Sequence, residues 1–150
     1  MVLNPQDLVK SARSRSQSIS STQTRQVVPT KQTVLLVEDS IATRTQEKRI
    51  LETAGYQVIT AVDGLDGLNK LRSHTVDAVV SDVQMPNLDG LGLTAKIRQY
   101  QEYSELPIIL VTSRASDEDK RRGAEAGANA YIIKGSFNQE ALLSTLKRLV

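Results

Sequence analysis

The stretch that decides the fold is VDAVVSDVQMPNLDG at residues 76–90, an aliphatic run that ends on a carboxylate. Residues 33–40 repeat this arrangement as TVLLVEDS. Further aliphatic runs lie at residues 57–62, 107–112 and 130–133, and helical patterns separate the five runs. Short aliphatic runs that alternate with helices are typical of buried parallel strands. The pattern predicts an α/β fold with a five-stranded parallel sheet, right-handed crossovers and helices on both faces.

A helix is predicted after each strand. Ser40 caps the first helix, and the stretch that begins at Asp63 caps the second, in which leucines recur at helical spacing. Gly55 and Gly127 supply stop signals for the first and the fourth helix. The predicted helices cover residues 40–54, 63–73, 90–100, 117–126 and 139–150.

The amino-acid composition limits the kind of core and the cellular compartment that the protein can have. Apolar residues make up 39% of the 150 residues but aromatic residues only 3%, so the core has to be built from aliphatic side chains. The chain has no cysteine, which excludes disulfides and thiolate metal sites and fits a reducing compartment. No run approaches the ~20 apolar residues of a membrane span. We therefore predict a cytoplasmic protein with no membrane partner.

Charge and polarity divide the chain in two. Residues 1–31 hold five basic side chains and one acidic side chain, and the whole chain has a formal charge of +2, so residues 32–150 carry −2. The isoelectric point of the whole chain is basic only because of residues 1–31. Since residues 32–150 are mildly acidic, we predict no nucleic-acid partner. Residues 11–33 are rich in Ser, Thr, Gln and Arg. Such a segment buries little apolar surface, so we interpret residues 1–31 as the tail of a preceding domain plus a flexible polar linker.

Charged or hydroxyl side chains stand at the ends of four of the five predicted strands. Glu38 and Asp39 follow the first strand, Asp82 follows the third, Thr112 ends the fourth and Lys134 follows the fifth. The carboxyl ends of parallel strands share one edge, where ligands bind in open α/β sheets. Three carboxylates in one crevice imply a hard cation such as Mg²⁺, with Mn²⁺ as an alternative. A lysine beside them suits a phosphoryl oxygen, so the set predicts phosphoryl transfer to a carboxylate.

Four motifs carry a family resemblance. VLLVEDS, VVSDVQMPNLDG, ILVTS and AYIIKGSF occur in this order, each at a predicted strand end, and together they resemble the CheY-like response-regulator receiver family over residues 32–150. The resemblance implies a flavodoxin-like (βα)5 fold with a doubly wound sheet, and a phosphoacceptor in a two-component phosphorelay. It implies Asp82 as the phosphoacceptor, with Lys134 paired to the phosphoryl group. The implied Mg²⁺ ligands are Glu38, Asp39, Asp82 and the backbone carbonyl of Gln84.

The resemblance also implies a conformational switch and its partners. Thr112 would move toward the phosphoryl group and let Tyr131 swing inward, which reshapes the face formed by the fourth helix, the fifth strand and the fifth helix. The phosphodonor would be a histidine kinase, and that face would contact a downstream or intramolecular protein partner. We expect a monomer or weak dimer, and not an enzyme in the chain by itself.

Two further segments resemble hybrid chemotaxis-type histidine kinases. KGSF with QEALLSTLKRLV is similar to their C-terminal receivers, and MVLNPQDLVKSA is similar to the end of the coupling domain that precedes such receivers. This leads to the hypothesis that the chain is the C-terminal piece of a larger kinase. An unrelated parent reading frame, or a natural start at Met1, would contradict it.

One departure from the family pattern bears on Lys134. Gly135 stands where the family has a proline that follows the lysine through a cis peptide bond. A cis bond without proline costs about 2.5–4 kcal/mol, so the Lys134–Gly135 bond could be trans or cis.

Alternative functions remain open at this point. One is a pseudo-receiver scaffold that is never phosphorylated, and another is a phosphate sink within a hybrid kinase. A haloacid-dehalogenase-type phosphatase is disfavoured, because its second aspartate position is held by Gln84. A DNA-binding regulator is disfavoured because the chain stops with its last helix.

Overall fold

A computed structural model describes residues 31–114, 116–134 and 139–150. Five strands, five α-helices and one short 3₁₀ helix occur in these residues. They are β1 Thr33–Val37, α1 Ile41–Thr53, β2 Gln57–Ala61, α2 Gly64–Ser73, β3 Ala78–Ser81, α3 Gly90–Arg98, the 3₁₀ helix Gln101–Tyr103, β4 Ile108–Thr112, α4 Asp117–Ala126, β5 Ala130–Ile133 and α5 Gln139–Leu149. The predicted tail and linker fall, except for Lys31, outside the described residues.

All five strands form one parallel sheet in the order β2-β1-β3-β4-β5. The chain adds β2 on one side of β1 and the remaining strands on the other, so the order reverses between β1 and β3. Val37, the last residue of β1, pairs with Ala61 of β2 and with Ser81 of β3. The carboxyl ends of these three strands are therefore level. The predicted doubly wound, flavodoxin-like α/β fold is confirmed.

Successive side chains along each strand point to opposite faces of the sheet, so a hydrophobic core forms on each face. On one face, Val34 and Leu36 pack with Leu51 of α1 and with Leu142 and Leu146 of α5. We call this the α1/α5 face. The other face carries a second cluster, which includes Leu35, Val37, Leu71, Leu93, Ile97 and Leu110. The helices α2, α3 and α4 cover it, and we call it the α2–α4 face. Both clusters are almost purely aliphatic, as the composition predicts.

The caps predicted for α1 and α2 are present. The side chain of Ser40 accepts a hydrogen bond from Thr43 N, and that of Asp63 accepts one from Asp66 N. Asp89 and Ser116 cap α3 and α4 in the same way. Each cap satisfies an amide that has no partner within its helix.

A few predicted boundaries were wrong by one or two residues. The third strand begins at Ala78 and not at residue 76, and α3 ends at Arg98 and not at residue 100. The 3₁₀ helix Gln101–Tyr103 that follows α3 was not predicted. In the described residues, no helix is long and apolar enough to cross a membrane.

Candidate acidic site at the carboxyl edge of the sheet

Three carboxylates meet where the strand order reverses. Glu38 and Asp39 follow β1, and Asp82 follows the neighbouring β3. Each side chain offers an oxygen, and these oxygens all lie within 4.8 Å of one another. Asp82 N donates to the carbonyl of Val37 over 3.0 Å, which continues the β1–β3 ladder by one residue and fixes the separation of the two acidic ends.

Strand alternation places the charged groups on one face. Glu38, Asp82 and Lys134 each stand two positions beyond a core residue of the α1/α5 face, namely Leu36, Val80 and Ile132. Side chains two apart on a strand point to the same side of the sheet. All three charged side chains therefore extend the α1/α5 face at its carboxyl edge.

Lys134 bridges the carboxylates. Its Nζ donates to Oε1 of Glu38 over 2.8 Å and lies 3.4 Å from Oδ2 of Asp82. Burial alone would lower the pKa of Lys134, but the hydrogen bond to Glu38 and the nearby carboxylates together raise it above its ordinary value. Lys134 is therefore a firmly charged ammonium in this site. Its two partners directly follow β1 and β3 and are far from it in the sequence.

Glu38 is the most buried of the acids, with 1% of its surface exposed. Burial raises its pKa, and the charge of Asp82 adds to this effect. Hydrogen bonds from Lys134 and from Ser40 N, the latter at 3.0 Å to Oε2, act in the opposite direction. Glu38 is thus held on both oxygens, whereas Asp39 is exposed to solvent.

Asp82 is partly exposed and fixed by its own loop. Its Oδ1 accepts from Val83 N at 2.7 Å, which leaves Oδ2 on the side of Lys134. The loop packs tightly on the start of α3, where a Cβ added at Gly90 would lie 2.1 Å from the carbonyl oxygen of Asp82. Only glycine fits so close to the backbone. This contact holds the carboxylate of Asp82 at the edge of the sheet.

Thr112 and Tyr131 lie on the α2–α4 face. Thr112 is fully buried, and its Oγ1 accepts from Arg114 N at 3.3 Å. The hydroxyl of Tyr131 donates to the carbonyl of Arg114 over 3.0 Å, and its ring packs on Gly123. Both side chains thus contact the loop after β4. In the described part of the chain, neither side chain forms a hydrogen bond with Asp82, so their role as a switch stays a prediction.

Two other predicted features are not decided by this geometry. Gln84 is exposed two residues beyond Asp82, and its carbonyl as a metal ligand remains a prediction. Gly135 lies outside the described residues, so the isomer of the Lys134–Gly135 bond stays open.

Sequence reasoning missed two residues of α1 next to the site. Arg44 Nη1 donates to the carbonyl of Glu38 over 2.8 Å and approaches that of Asp39 at 3.5 Å, which holds the loop between β1 and α1. Glu47 is only 5% exposed although it is a carboxylic acid. The available signal was spacing, because residues 44, 47 and 51 follow one another at three and four on one helix face.

The donor set fits a hard divalent cation. Three carboxylates contribute oxygens within 4.8 Å of one another, with one of the acids open to solvent. Oxygen-only ligation by a few carboxylates, with the remaining positions left for water or phosphate, is the pattern that Mg²⁺ prefers. Lys134 offsets part of the negative charge of the cluster.

Comparison with known proteins agrees with this geometry. The response regulator receiver domain family matches residues 34–147 of the chain. The chain is 40% identical over 116 residues to a gliding motility regulatory protein of Myxococcus xanthus and 34% identical over 124 residues to the sensor histidine kinase CheAY of Helicobacter pylori. These alignments cover 77% and 81% of this chain. The chain spans only 15% of the length of each of these relatives.

Solved structures give the same result. The chemotaxis response regulator CheY4 of Vibrio cholerae is 38% identical with a TM-score of 0.75, over 81% of this chain and 100% of that one. The receiver domain of the sensor histidine kinase PA1611 from Pseudomonas aeruginosa is 32% identical with a TM-score of 0.74, over 80% and 98% of the two chains. That structure has a magnesium ion coordinated in its active-site cleft. The chain described here therefore belongs to the response regulator receiver domain family, whose members are CheY-like signalling domains of two-component systems.

Proposed function

We propose that Asp82 accepts a phosphoryl group from a histidine kinase in a Mg²⁺-dependent reaction. The observation that carries this proposal is the network at the carboxyl edge, in which Lys134 lies 2.8 Å from Glu38 and 3.4 Å from Asp82. A carboxylate that only shaped the fold would need no such convergence of acids around one ammonium. The same network fits a nucleophile and its charge-neutralising groups.

The proposed reaction mainly requires the protein to position the nucleophile and the charges around the phosphoryl group. An Asp82 carboxylate oxygen attacks phosphorus, the bond from phosphorus to the donor nitrogen breaks, and an acyl phosphate forms on Asp82. Glu38, Asp39, Asp82 and the carbonyl of Gln84 would hold Mg²⁺, or Mn²⁺ in its place. When bound, the cation neutralises charge on the transferred phosphoryl oxygens. Lys134 turns from Glu38 to a phosphoryl oxygen as a point charge.

The response of the fold begins at the loop after β4. Thr112 turns its hydroxyl from Arg114 N toward the phosphoryl group, which loosens the loop whose carbonyl now accepts from Tyr131. Tyr131 then moves inward and the α4-β5-α5 face changes shape. A downstream or intramolecular protein partner binds the changed face more tightly, which is a population shift between two states.

We also propose where this chain lies in a longer protein. Residues 1–31 are the tail of a preceding domain plus a polar linker, and residues 32–150 form the C-terminal receiver of a cytoplasmic hybrid chemotaxis-type kinase. In support, one relative is a sensor histidine kinase of which the chain spans 15%. The receiver either signals through its α4-β5-α5 face as a monomer or weak dimer, or drains phosphoryl groups as a sink. The parent reading frame tests this setting: no kinase or coupling domain before residue 1 would contradict it.

Intact mass after incubation with acetyl phosphate tests the central claim. The wild-type chain should gain one phosphoryl group in Mg²⁺ and none in excess EDTA. Asp82→Asn should gain none. Asp77→Asn is the matched control, because Asp77 precedes the other end of the same strand, where its Oδ2 accepts from Thr33 N at 2.8 Å. An unphosphorylated wild type that still binds Mg²⁺ would refute the proposal and favour a pseudo-receiver scaffold.

A further inference from the structure

Glu47 is a buried carboxylic acid that the proposed phosphorylation chemistry does not use. Its side chain is 5% exposed, and none of the other described residues forms a hydrogen bond with its carboxylate. Burying a polar group without a partner costs free energy, and native structures seldom do so without a reason. The position therefore needs an explanation beyond packing.

The place of Glu47 in the fold is fixed by α1. Arg44, three residues earlier, reaches the carbonyl of Glu38, and Leu51, four residues later, belongs to the core of the α1/α5 face. A helix rises about 1.5 Å per residue, so Glu47 lies about 4.5 Å deeper along α1 than Arg44. It is thus between the acidic edge and the aliphatic core. The charged groups that extend this same face are those of Glu38, Asp82 and Lys134.

Lys134 is the cation that contacts these carboxylates in the described part of the chain, and its present partners are not exclusive. Its ammonium bonds Glu38 and Asp82, the same carboxylates that can hold a divalent cation. Lys134 loses much of this attraction once those oxygens ligate Mg²⁺, because two positive charges then share them. An ammonium has three donors and readily changes partner. A further carboxylate nearby would keep it at the site.

We propose that Glu47 is a positioning residue for Lys134, a buried anion that retains the ammonium beside Asp82 when Glu38 is engaged by a cation. The inference rests on the proposed phosphorylation of Asp82 and adds a residue to it. Glu47 touches neither phosphoryl group nor metal in this scheme. It acts only through Lys134.

The electrostatics of the two residues agree with this pairing. The pKa of Glu47 is raised to about 7, with burial as the largest cause; the charges of Glu38 and Asp82 add to this effect, and Lys134 opposes it. Glu47 is likewise one of the carboxylates that raise the pKa of Lys134 against the effect of burial. A cation held between Glu38 and Asp82 would offset their repulsion and favour ionised Glu47.

Rates of phosphorylation test the inference first. Glu47→Gln keeps the shape and removes the charge, and it should slow the reaction with acetyl phosphate at saturating Mg²⁺ about tenfold, the size of a coupling within one charge network. Glu47→Asp keeps the charge and should retain most of the rate. Glu52→Gln is the matched control, since Glu52 is an exposed acid of the same helix paired with Lys48, and its rate should not change. In a Lys134→Met background, Glu47→Gln should have no further effect.

A second readout needs no phosphorylation. NMR titration of the Lys134 ammonium, assigned with Lys134→Met, should show a lower pKa in Glu47→Gln than in wild type without metal, and no change in Glu52→Gln. If wild type takes no phosphoryl group, the proposed function fails while this titration still decides the pairing. An unchanged Lys134 pKa would overturn the inference, and so would an equal slowing by Glu47→Gln in the Lys134→Met background.

Discussion

The buried acid on α1 makes a quantitative prediction for stability. The pKa of Glu47 is about 7 in the folded protein against an ordinary value of 4.5, chiefly because burial penalises its charged form. A folded-state pKa above the unfolded value means that folding favours the protonated acid. Its contribution to stability is therefore fully present below pH 4.5 and is lost as pH rises through about 7.

The size of the loss follows from the gap between the two values. A gap of about 2.5 pH units at 1.36 kcal/mol per unit gives about 3 kcal/mol. Glu47 is almost fully buried, so this figure needs no reduction for solvent screening. Glutamine at position 47 is neutral at every pH. Glu47→Gln should thus gain about 3 kcal/mol of stability relative to wild type between pH 4.5 and pH 8.

Urea unfolding followed by far-ultraviolet circular dichroism measures the effect. Wild type and Glu47→Gln are compared at pH 5, 6, 7 and 8 in EDTA, and the difference in the free energy of unfolding is plotted against pH. That difference removes the titrations that the two proteins share. Glu52→Gln should change stability by less than about 1 kcal/mol at every pH, as expected for an exposed pair. A Glu47→Gln difference that stays flat across this range would refute the argument.

Three further substitutions test packing around the site. Gly90→Ala puts a Cβ 2.1 Å from the Asp82 carbonyl oxygen and should cost about 1–3 kcal/mol in urea unfolding; an unchanged midpoint would contradict the close approach. Arg98→Ala removes hydrogen bonds to the carbonyls of Tyr103 and Gly127 and to Asn129, and should cost about 2–3 kcal/mol, whereas the exposed Lys96→Ala should cost less than about 0.5. Gly123→Ala brings a Cβ to 2.8 Å from the Tyr131 ring, so the ring resonances of Tyr131 should shift in NMR spectra; unshifted resonances would show that the contact is absent.

The tertiary structure also explains where the sequence prediction fell short. The 3₁₀ helix Gln101–Tyr103 ends with a carbonyl that accepts from Arg98 at 2.7 Å, and Arg98 also bonds the end of α4 and Asn129. This clamp joins segments about thirty residues apart. No local pattern of apolar residues could have indicated it.

The sequence by itself determined the fold class and the place of the acidic site. Five aliphatic runs alternating with helical patterns leave few topologies, because crossovers are right-handed and parallel strands end at one edge. Glu38, Asp39, Asp82 and Lys134 could be assigned to that edge from their positions after strands alone. The end of each strand can be recognised locally, because a charged or hydroxyl residue stands at or directly after the end of the aliphatic run.

Only the tertiary structure decided how the charged groups share that edge. The 2.8 Å contact of Lys134 with Glu38 joins residues 96 apart, and it depends on the stagger of strands that are not neighbours in the sheet. The burial of Glu47 likewise depends on tertiary packing, because Leu51 on the same face of α1 lies in a core formed with the sheet and with α5. Helical spacing in the sequence predicts on which face of the helix a residue lies, but it does not predict which other elements pack against that face. The charge of a buried acid is set by those surroundings, which arise only when the whole chain has folded.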